Sequence, residues 1–212
     1  VVVLDNLSTG LRRLVPHAVA FVKGEVGDMA LVERIIVEHA VDAIIHFAGS
    51  IVVPESVSNP SLYYANNVSA ARNLMAIAVA AGVKFFVFSS TAAVYGMPTV
   101  SSVAEDAATS PINPYGRSKL MTEWMLADTA RAHDFRYVAL RYFNVAGADT
   151  SGRTGQSLST ATHLIKRACL AALGRIPELD IFGTDYPTRD GTGVRDYIHV
   201  CDLIDAHVLA LQ

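Results

Sequence analysis

Short, continuously apolar runs rich in β-branched residues alternate along the chain with longer stretches of helical periodicity. The runs at positions 1–4, 19–22, 43–46, 85–89 and 137–142 predict strands. Continuous apolar character, rather than strict alternation, is what a strand shows when helices cover both faces of its sheet. The first helix opens at Asp28, whose side chain can cap free N–H groups, and runs to about His39. The second opens at Asn59-Pro60, a cap followed by proline at the first helical position, and continues to Gly82. A third runs from Asn113-Pro114 to Ala132, and a fourth from Ser159 or Thr160 to Leu173, stopped by Gly174. Beyond it the pattern thins to a short strand near 180–182 and a loop rich in Gly, Thr, Asp and Pro. This alternation predicts an α/β fold with a doubly wound parallel sheet up to about Ala146, then part of a smaller, irregular domain.

Composition narrows the function. Twenty acidic against seventeen basic residues leave a net charge of −3, without the basic excess of a nucleic-acid binder. Apolar residues at 51% and charged ones at 17% allow a sizeable core and exclude a disordered chain. The stretch 75–88 is interrupted by Lys84 and is too short to span a bilayer, and no secretory pattern is read at the start. Cys169 and Cys201 alone make neither a disulfide framework nor a metal cage, so no metal is expected and a cytoplasmic setting is. The chain opens inside an apolar run, Val1-Val2-Val3-Leu4, and closes on a helical pattern ending at Gln212. Both ends are therefore expected to be internal to a longer polypeptide.

The chemistry concentrates first in Tyr115-Gly116-Arg117-Ser118-Lys119. Residues four apart on a helix share one face, one turn apart. A phenol titrates near 10 and is a poor base at neutral pH unless something stabilises its anion. A neighbouring ammonium does so. Taken alone, most such pairs belong to amphipathic helices with a surface lysine. The context is the run ending in Ser89-Ser90-Thr91, three hydroxyls at the end of a strand. Open α/β sheets bind ligands beyond the carboxyl ends of their strands, although hydroxyls there also cap turns.

With these motifs in place the sequence resembles the extended short-chain dehydrogenase/reductase family and, within it, the UDP-glucose (UDP-galactose) 4-epimerases. The resemblance runs along essentially the whole chain. It rests on Leu4-Asp5-Asn6-Leu7, His46-Phe47-Ala48-Gly49, Tyr63-Tyr64-Ala65-Asn66-Asn67-Val68, the Ser-Ser-Thr strand end and Tyr115 with Lys119. Leu140-Arg141-Tyr142-Phe143-Asn144 and the segment from Gly191 to Val200 are more specific still. The resemblance implies a Rossmann-like NAD-binding domain over 1–146 and part of a nucleotide-sugar-binding domain over 147–212. It also implies Thr91, Tyr115 and Lys119 as the catalytic set. Tyr115 would take the proton of the sugar 4-hydroxyl while the C4 hydride passes to NAD, and a 4-keto sugar would turn over and take the hydride back. Asp5, Asn6, Asp28, Met29, Phe47, Ala48, Gly49, Asn66, Ser89, Tyr142 and Phe143, with Tyr115 and Lys119, match cofactor contacts. Asp5 would hold the adenosine ribose and favour NAD over its 2′-phosphate form. Asp28 reads equally as a helix cap, and His46 as a buried strand residue. Asn144, His163 and Arg195 match groups that address the UDP diphosphate, while Ile181 and Phe182 would line the uracil pocket or a small core. Thr91 and Tyr115 would also touch the sugar.

Two departures matter. The family's Gly-rich turn after its first strand has no counterpart in the chain, and in the order 3-2-1-4-5-6 that strand lies between the runs at 1–4 and 43–46. Four or five buried aliphatic residues at roughly 1.5–3 kcal/mol each amount to about the net stability of a domain, ~5–15 kcal/mol. The chain by itself is therefore expected to fold poorly and hold NAD weakly. In addition, Ile51 stands where some epimerases carry a lysine.

Related activities remain as alternatives. A 4,6-dehydratase would place an acidic pair after Thr91, where Ala92-Ala93 stands. A UDP-glucuronate decarboxylase lacks a good match to the 191–200 segment. An inactive NAD-binding module has no need of the intact Thr/Tyr/Lys set. Family members commonly pair as homodimers through a helix bundle, here 59–82 with 113–132, and the alanines of the first permit close approach. The same alanines could instead pack on the sheet.

Overall fold

The computed structural model describes residues 1–100, 102–158 and 161–212. The chain forms two compact units, Val1–Arg141 with His207–Gln212, and Tyr142–Ala206.

In the first unit, β1 (Val2–Asp5) pairs in parallel with β2 (Ala20–Lys23), Val2 opposite Ala20 and Asp5 opposite Lys23. Helix α1 (Met29–Glu38) follows, capped as expected by the Asp28 carboxylate, which accepts the Leu31 N–H at 3.1 Å. A second parallel ladder runs β3–β4–β5 (Ala43–His46, Phe85–Ser89, Arg136–Leu140). Among the described residues no ladder joins β1 to β3. These parallel strands with interleaved helices are the α/β, Rossmann-like architecture that the apolar pattern predicts.

Between β3 and β4 the chain is helical in pieces: α2 (Val53–Ser58), α3 (Pro60–Tyr63), a π-helical turn (Tyr64–Ser69) and α4 (Ala70–Ala80). The expected helix over 59–82 is thus present, but with a wide turn near its start. Helix α5 (Pro114–Ala132) begins as its Asn-Pro signal requires, with the Asn113 side chain accepting the Gly116 N–H at 2.8 Å.

The core lies where α1, α4 and α5 cover the sheet: Val32, Ile36, Leu74, Met75, Phe86, Phe88, Leu126 and Phe135 pack together. Burying each such side chain contributes about 1.5–3 kcal/mol, more than helix propensity supplies per residue. Strand β5 ends two residues earlier than the pattern predicts. Its partner β4 leaves the ladder after Ser89, and Leu140 gives its carbonyl to the Ser90 N–H at 3.0 Å.

The second unit contains β6 (Asn144–Ala146) and β7 (Tyr197–His199), a parallel pair too short to show in the hydrophobic pattern. Helix α6 spans Leu164–Ala172, and the expected start at Ser159 or Thr160 lies outside the described residues. Helix α7 (Val200–Leu209) begins in this unit, and its residues from His207 onward are counted with the first. The strand expected near 180–182 does not form; Ile181 and Phe182 are exposed and pair with no strand. No described helix is long and apolar enough to cross a membrane.

Candidate active site

The carboxyl end of β4 delivers Ser89, Ser90 and Thr91, all buried. Thr91 caps the short turn 92–95, its hydroxyl accepting the Ala93 N–H at 3.2 Å. The first turn of α5 rests directly on that turn. A Cβ at Gly116 would stand 2.8 Å from the Ala93 carbonyl oxygen, so only glycine allows the approach. Tyr115, half-buried, sits in this same first turn.

One turn on, Lys119 is only 2% exposed and donates from Nζ to the Ser89 carbonyl oxygen at 2.9 Å. Its ammonium lies 4.9 Å from the centre of the Phe88 ring. Burial pulls its pKa down to about 8. His46, at the end of β3, is buried against Phe86 and Phe88. Burial first, and the Lys119 charge second, lower its pKa to about 3, so the imidazole is neutral and is no acid at working pH. Tyr63 is also no base: burial, and next its Glu55 hydrogen bond, hold that phenol above the usual tyrosine range.

Phe47 and Ala48 follow β3 with exposed side chains, then Gly49. A Cβ on Gly49 would lie 3.0 Å from Asn67 Oδ1 and 3.5 Å from Lys119 Nζ. The glycine keeps the space beside the ammonium open. Ile51 is exposed. At the end of β1, the Asp5 carboxylate accepts the Leu7 N–H at 2.6 Å and lies where a Cβ on Gly10 would be, which closes a tight turn around it. Asn6 donates to Glu25. Asp28 serves as a cap, and Met29 beside it is exposed.

In the second unit, Tyr142 is half-buried and Phe143 exposed. Asn144 donates to the Asp196 carbonyl at 3.0 Å, while exposed Arg195 donates to the Val194 carbonyl at 2.9 Å. His163 precedes α6, exposed and without a side-chain capping bond. Ile181 and Phe182 are 69% and 89% exposed and line no core.

Sequence reasoning missed two features. Asn66 donates to the Ser50 hydroxyl at 2.9 Å, and its neighbour Asn67 is the buried brace. Asn67 accepts the Ser50 N–H at 2.7 Å and donates to the Ser50 carbonyl at 2.9 Å and the Ser118 hydroxyl at 3.0 Å. The second is an ion pair between buried Glu123 and partly exposed Arg141, with N···O distances of 3.0 and 2.6 Å. Its spacing shows only that Glu123, four residues after Lys119, shares that helical face; the pairing with Arg141 has no local signal.

The family described as "NAD dependent epimerase/dehydratase family" matches residues 1–212. UDP-glucose 4-epimerase of Azospirillum brasilense is 60% identical over 99% of this chain and 60% of its own length. The crystal structure of UDP-glucose 4-epimerase from Brucella ovis in complex with NAD superposes with a TM-score of 0.94 at 48% identity, over 99% of this chain and 64% of that one. The Bifidobacterium longum enzyme in complex with NAD⁺ and UDP gives 0.93 at 39% identity, over 99% and 66%. The chain thus spans a little under two thirds of the length of these relatives. A parallel α/β unit that sets a tyrosine–lysine helix on a hydroxyl-bearing strand end, matched along its whole length, belongs to the NAD dependent epimerase/dehydratase family.

Proposed function

We propose that the whole protein is a UDP-glucose 4-epimerase, an NAD-dependent isomerase that interconverts UDP-galactose and UDP-glucose. The observation that carries this reading is the Lys119–Ser89 bond, which seats the Tyr115–Lys119 face of α5 against the strand end that bears Thr91. Its relatives of the same name, and the NAD and UDP held by their crystal structures, support it.

The residues present fit a bound NAD. A carboxylate stands at the end of β1, a side-chain-free position at Gly49 adjoins a buried ammonium, and both strand ends are carboxyl ends of parallel ladders. Asp5 and Asn6 would hold the adenosine ribose, Asp28 and Met29 flank the adenine, and Phe47, Ala48 and Gly49 line the diphosphate path. Asn66, Ser89, Tyr142, Phe143, Tyr115 and Lys119 would surround the nicotinamide riboside. Bound NAD supplies a hydride acceptor and donor for C4 of the hexose.

Tyr115 would take the proton of the sugar 4-hydroxyl when that carbon is oxidised to the 4-keto level, and return it to the same oxygen when the carbon is reduced on its other face. Thr91 hydrogen-bonds the same oxygen, and Lys119 supplies the positive charge that favours the phenolate. Asn144, Arg195 and His163 address the diphosphate, with Ile181 and Phe182 against the uracil. In this reading residues 1–146 serve as the NAD-binding domain and 147–212 as part of the nucleotide-sugar domain. The protein works in the cytoplasm as a homodimer paired through α4 and α5, where Trp124 is 58% exposed and Met121 37%. Its mass by sedimentation tests the pairing.

The deciding experiment incubates the whole protein with UDP-galactose and identifies the products. UDP-glucose alone is expected, and a dehydrated product or no epimer overturns the reading. Tyr115→Phe should lower kcat by at least about 100-fold while bound NAD is retained. Unchanged turnover removes the tyrosine from the mechanism.

A further inference from the structure

Glu123 is 6% exposed, yet it carries a carboxylate into the space between α5 and the ends of β4 and β5. Arg141 meets it with two parallel bonds, Nε to Oε1 at 3.0 Å and Nη2 to Oε2 at 2.6 Å. The Ser90 hydroxyl donates to Oε1 as well. The remaining nitrogen of Arg141 donates to the Tyr95 hydroxyl at 2.9 Å and the Glu105 carbonyl at 3.1 Å. Its guanidinium also lies 5.0 Å from the centre of the Tyr95 ring.

Stability alone does not explain such a group. A carboxylate buried beside a guanidinium is often no better than well-packed apolar residues of the same volume, because taking the charge out of water offsets much of the attraction. What the pair adds is direction: bidentate bonds fix both angle and distance. The direction matters because of where the partners sit. Lys119 and Glu123 lie four residues apart on one face of α5, and they hold the last residue of β4 and the one after it, through the Ser89 carbonyl and the Ser90 hydroxyl. Thr91 is the next residue. Two polar tethers one turn apart stop α5 from sliding along or rolling over the strand end, which an apolar contact would permit.

We propose that Glu123, held by Arg141 and Ser90, is a positioning residue that sets Tyr115 and Lys119 relative to Thr91. This rests on the epimerase reading above. A displacement of about 1 Å at reacting groups can cost on the order of 100-fold in rate. The effect should therefore fall on kcat rather than on binding.

The test uses the whole protein with its NAD, comparing Ser90→Ala and Glu123→Gln with the parent in UDP-galactose turnover per bound NAD. Ser90→Ala keeps the ion pair and decides the matter if Glu123→Gln fails to fold. The expected result is kcat lowered about tenfold or more, with KM and NAD content within about threefold of the parent. A kcat within about threefold of the parent, or a loss matched by lost NAD or lost folded protein, overturns the proposal. A parent without epimerase activity would instead defeat the functional reading. In that case crystal structures of the parent and Ser90→Ala decide. A change of about 0.5 Å or more in the Thr91-to-Tyr115 hydroxyl separation sustains the tether, and an unchanged separation ends it.

Discussion

Lys119 Nζ donates to the carbonyl oxygen of Ser89 at 2.9 Å, in surroundings that leave the lysine 2% exposed. One backbone carbonyl and the face of Phe88 replace the water an ammonium would otherwise have. The fold therefore holds a cation at a cost, next to the strand end that bears Thr91.

That cost is visible as a pH dependence of stability. Burial lowers the Lys119 pKa from 10.5 to about 8. Below pH 8 the lysine is protonated in both folded and unfolded chains, and the fold bears the full penalty. Between about pH 8 and 10.5 the unfolded chain binds the extra proton, so stability rises with pH through that window. In cofactor-free protein, Lys119→Met should be more stable than the parent by about 2–3 kcal/mol at pH 7. The gain should shrink towards zero near pH 10.5, the unfolded lysine's value. Urea titrations at pH values across this range check it, and a variant less stable than the parent at pH 7 contradicts the burial argument.

Asn67 and Asn66 should separate structure from ligand contact. Asn67→Ala leaves the part-buried Ser50 N–H and carbonyl without their partner, while the Ser118 hydroxyl keeps its bond to the Tyr115 carbonyl. The loss should be about 1–3 kcal/mol of stability, because the two partly buried backbone groups lose their partner and the buried side chain leaves a gap. Asn66→Ala removes one contact with the Ser50 hydroxyl and should cost less than about 1 kcal/mol. Its effect should appear instead as weaker NAD binding. Denaturation curves and NAD titrations of the two variants, run side by side, distinguish these outcomes.

The asymmetry between these neighbours shows what the sequence could and could not disclose. The long elements were legible because their signals are local. Asp28, Asn59 and Asn113 all accept the N–H groups that their cap positions predict. The strands at 43–46 and 85–89 match residue for residue. Asn66 and Asn67 have the same chemistry, and the π-helical turn from Tyr64 to Ser69 alters the helical phase that would decide which one faces inward. The Glu123–Arg141 pair joins α5 to the residue just after β5, 18 positions on, a contact that no local pattern encodes. β6 and β7, three residues each, lie below the length at which apolar periodicity has meaning. The tyrosine, lysine and threonine of the candidate site were legible because a strand end and a helix start are themselves readable. The exposed surroundings of Ile181 and Phe182 were not, since an apolar pair reads alike as core and as ligand wall.

Gly116 sets two effects against each other. Alanine favours a helix over glycine by about 1 kcal/mol in an interior, and by less in a first turn where glycine's freedom costs little. Against this, the new Cβ would meet the Ala93 carbonyl oxygen at 2.8 Å and the Pro111 side chain at 3.0 Å. The first of these is backbone and cannot swing aside, so α5 must retreat from the turn, at an overpacking cost of about 1–3 kcal/mol. The clash wins. Gly116→Ala should lower the melting temperature by about 2–8 °C, given about 2–4 °C per kcal/mol in a chain of this size. The retreat also carries Tyr115 away from Thr91, so kcat should fall by more than the loss of folded protein explains. Thermal melts and turnover per bound NAD check both parts. A variant that melts higher than the parent at full activity would mean that the first turn of α5 does not press on the strand end as described.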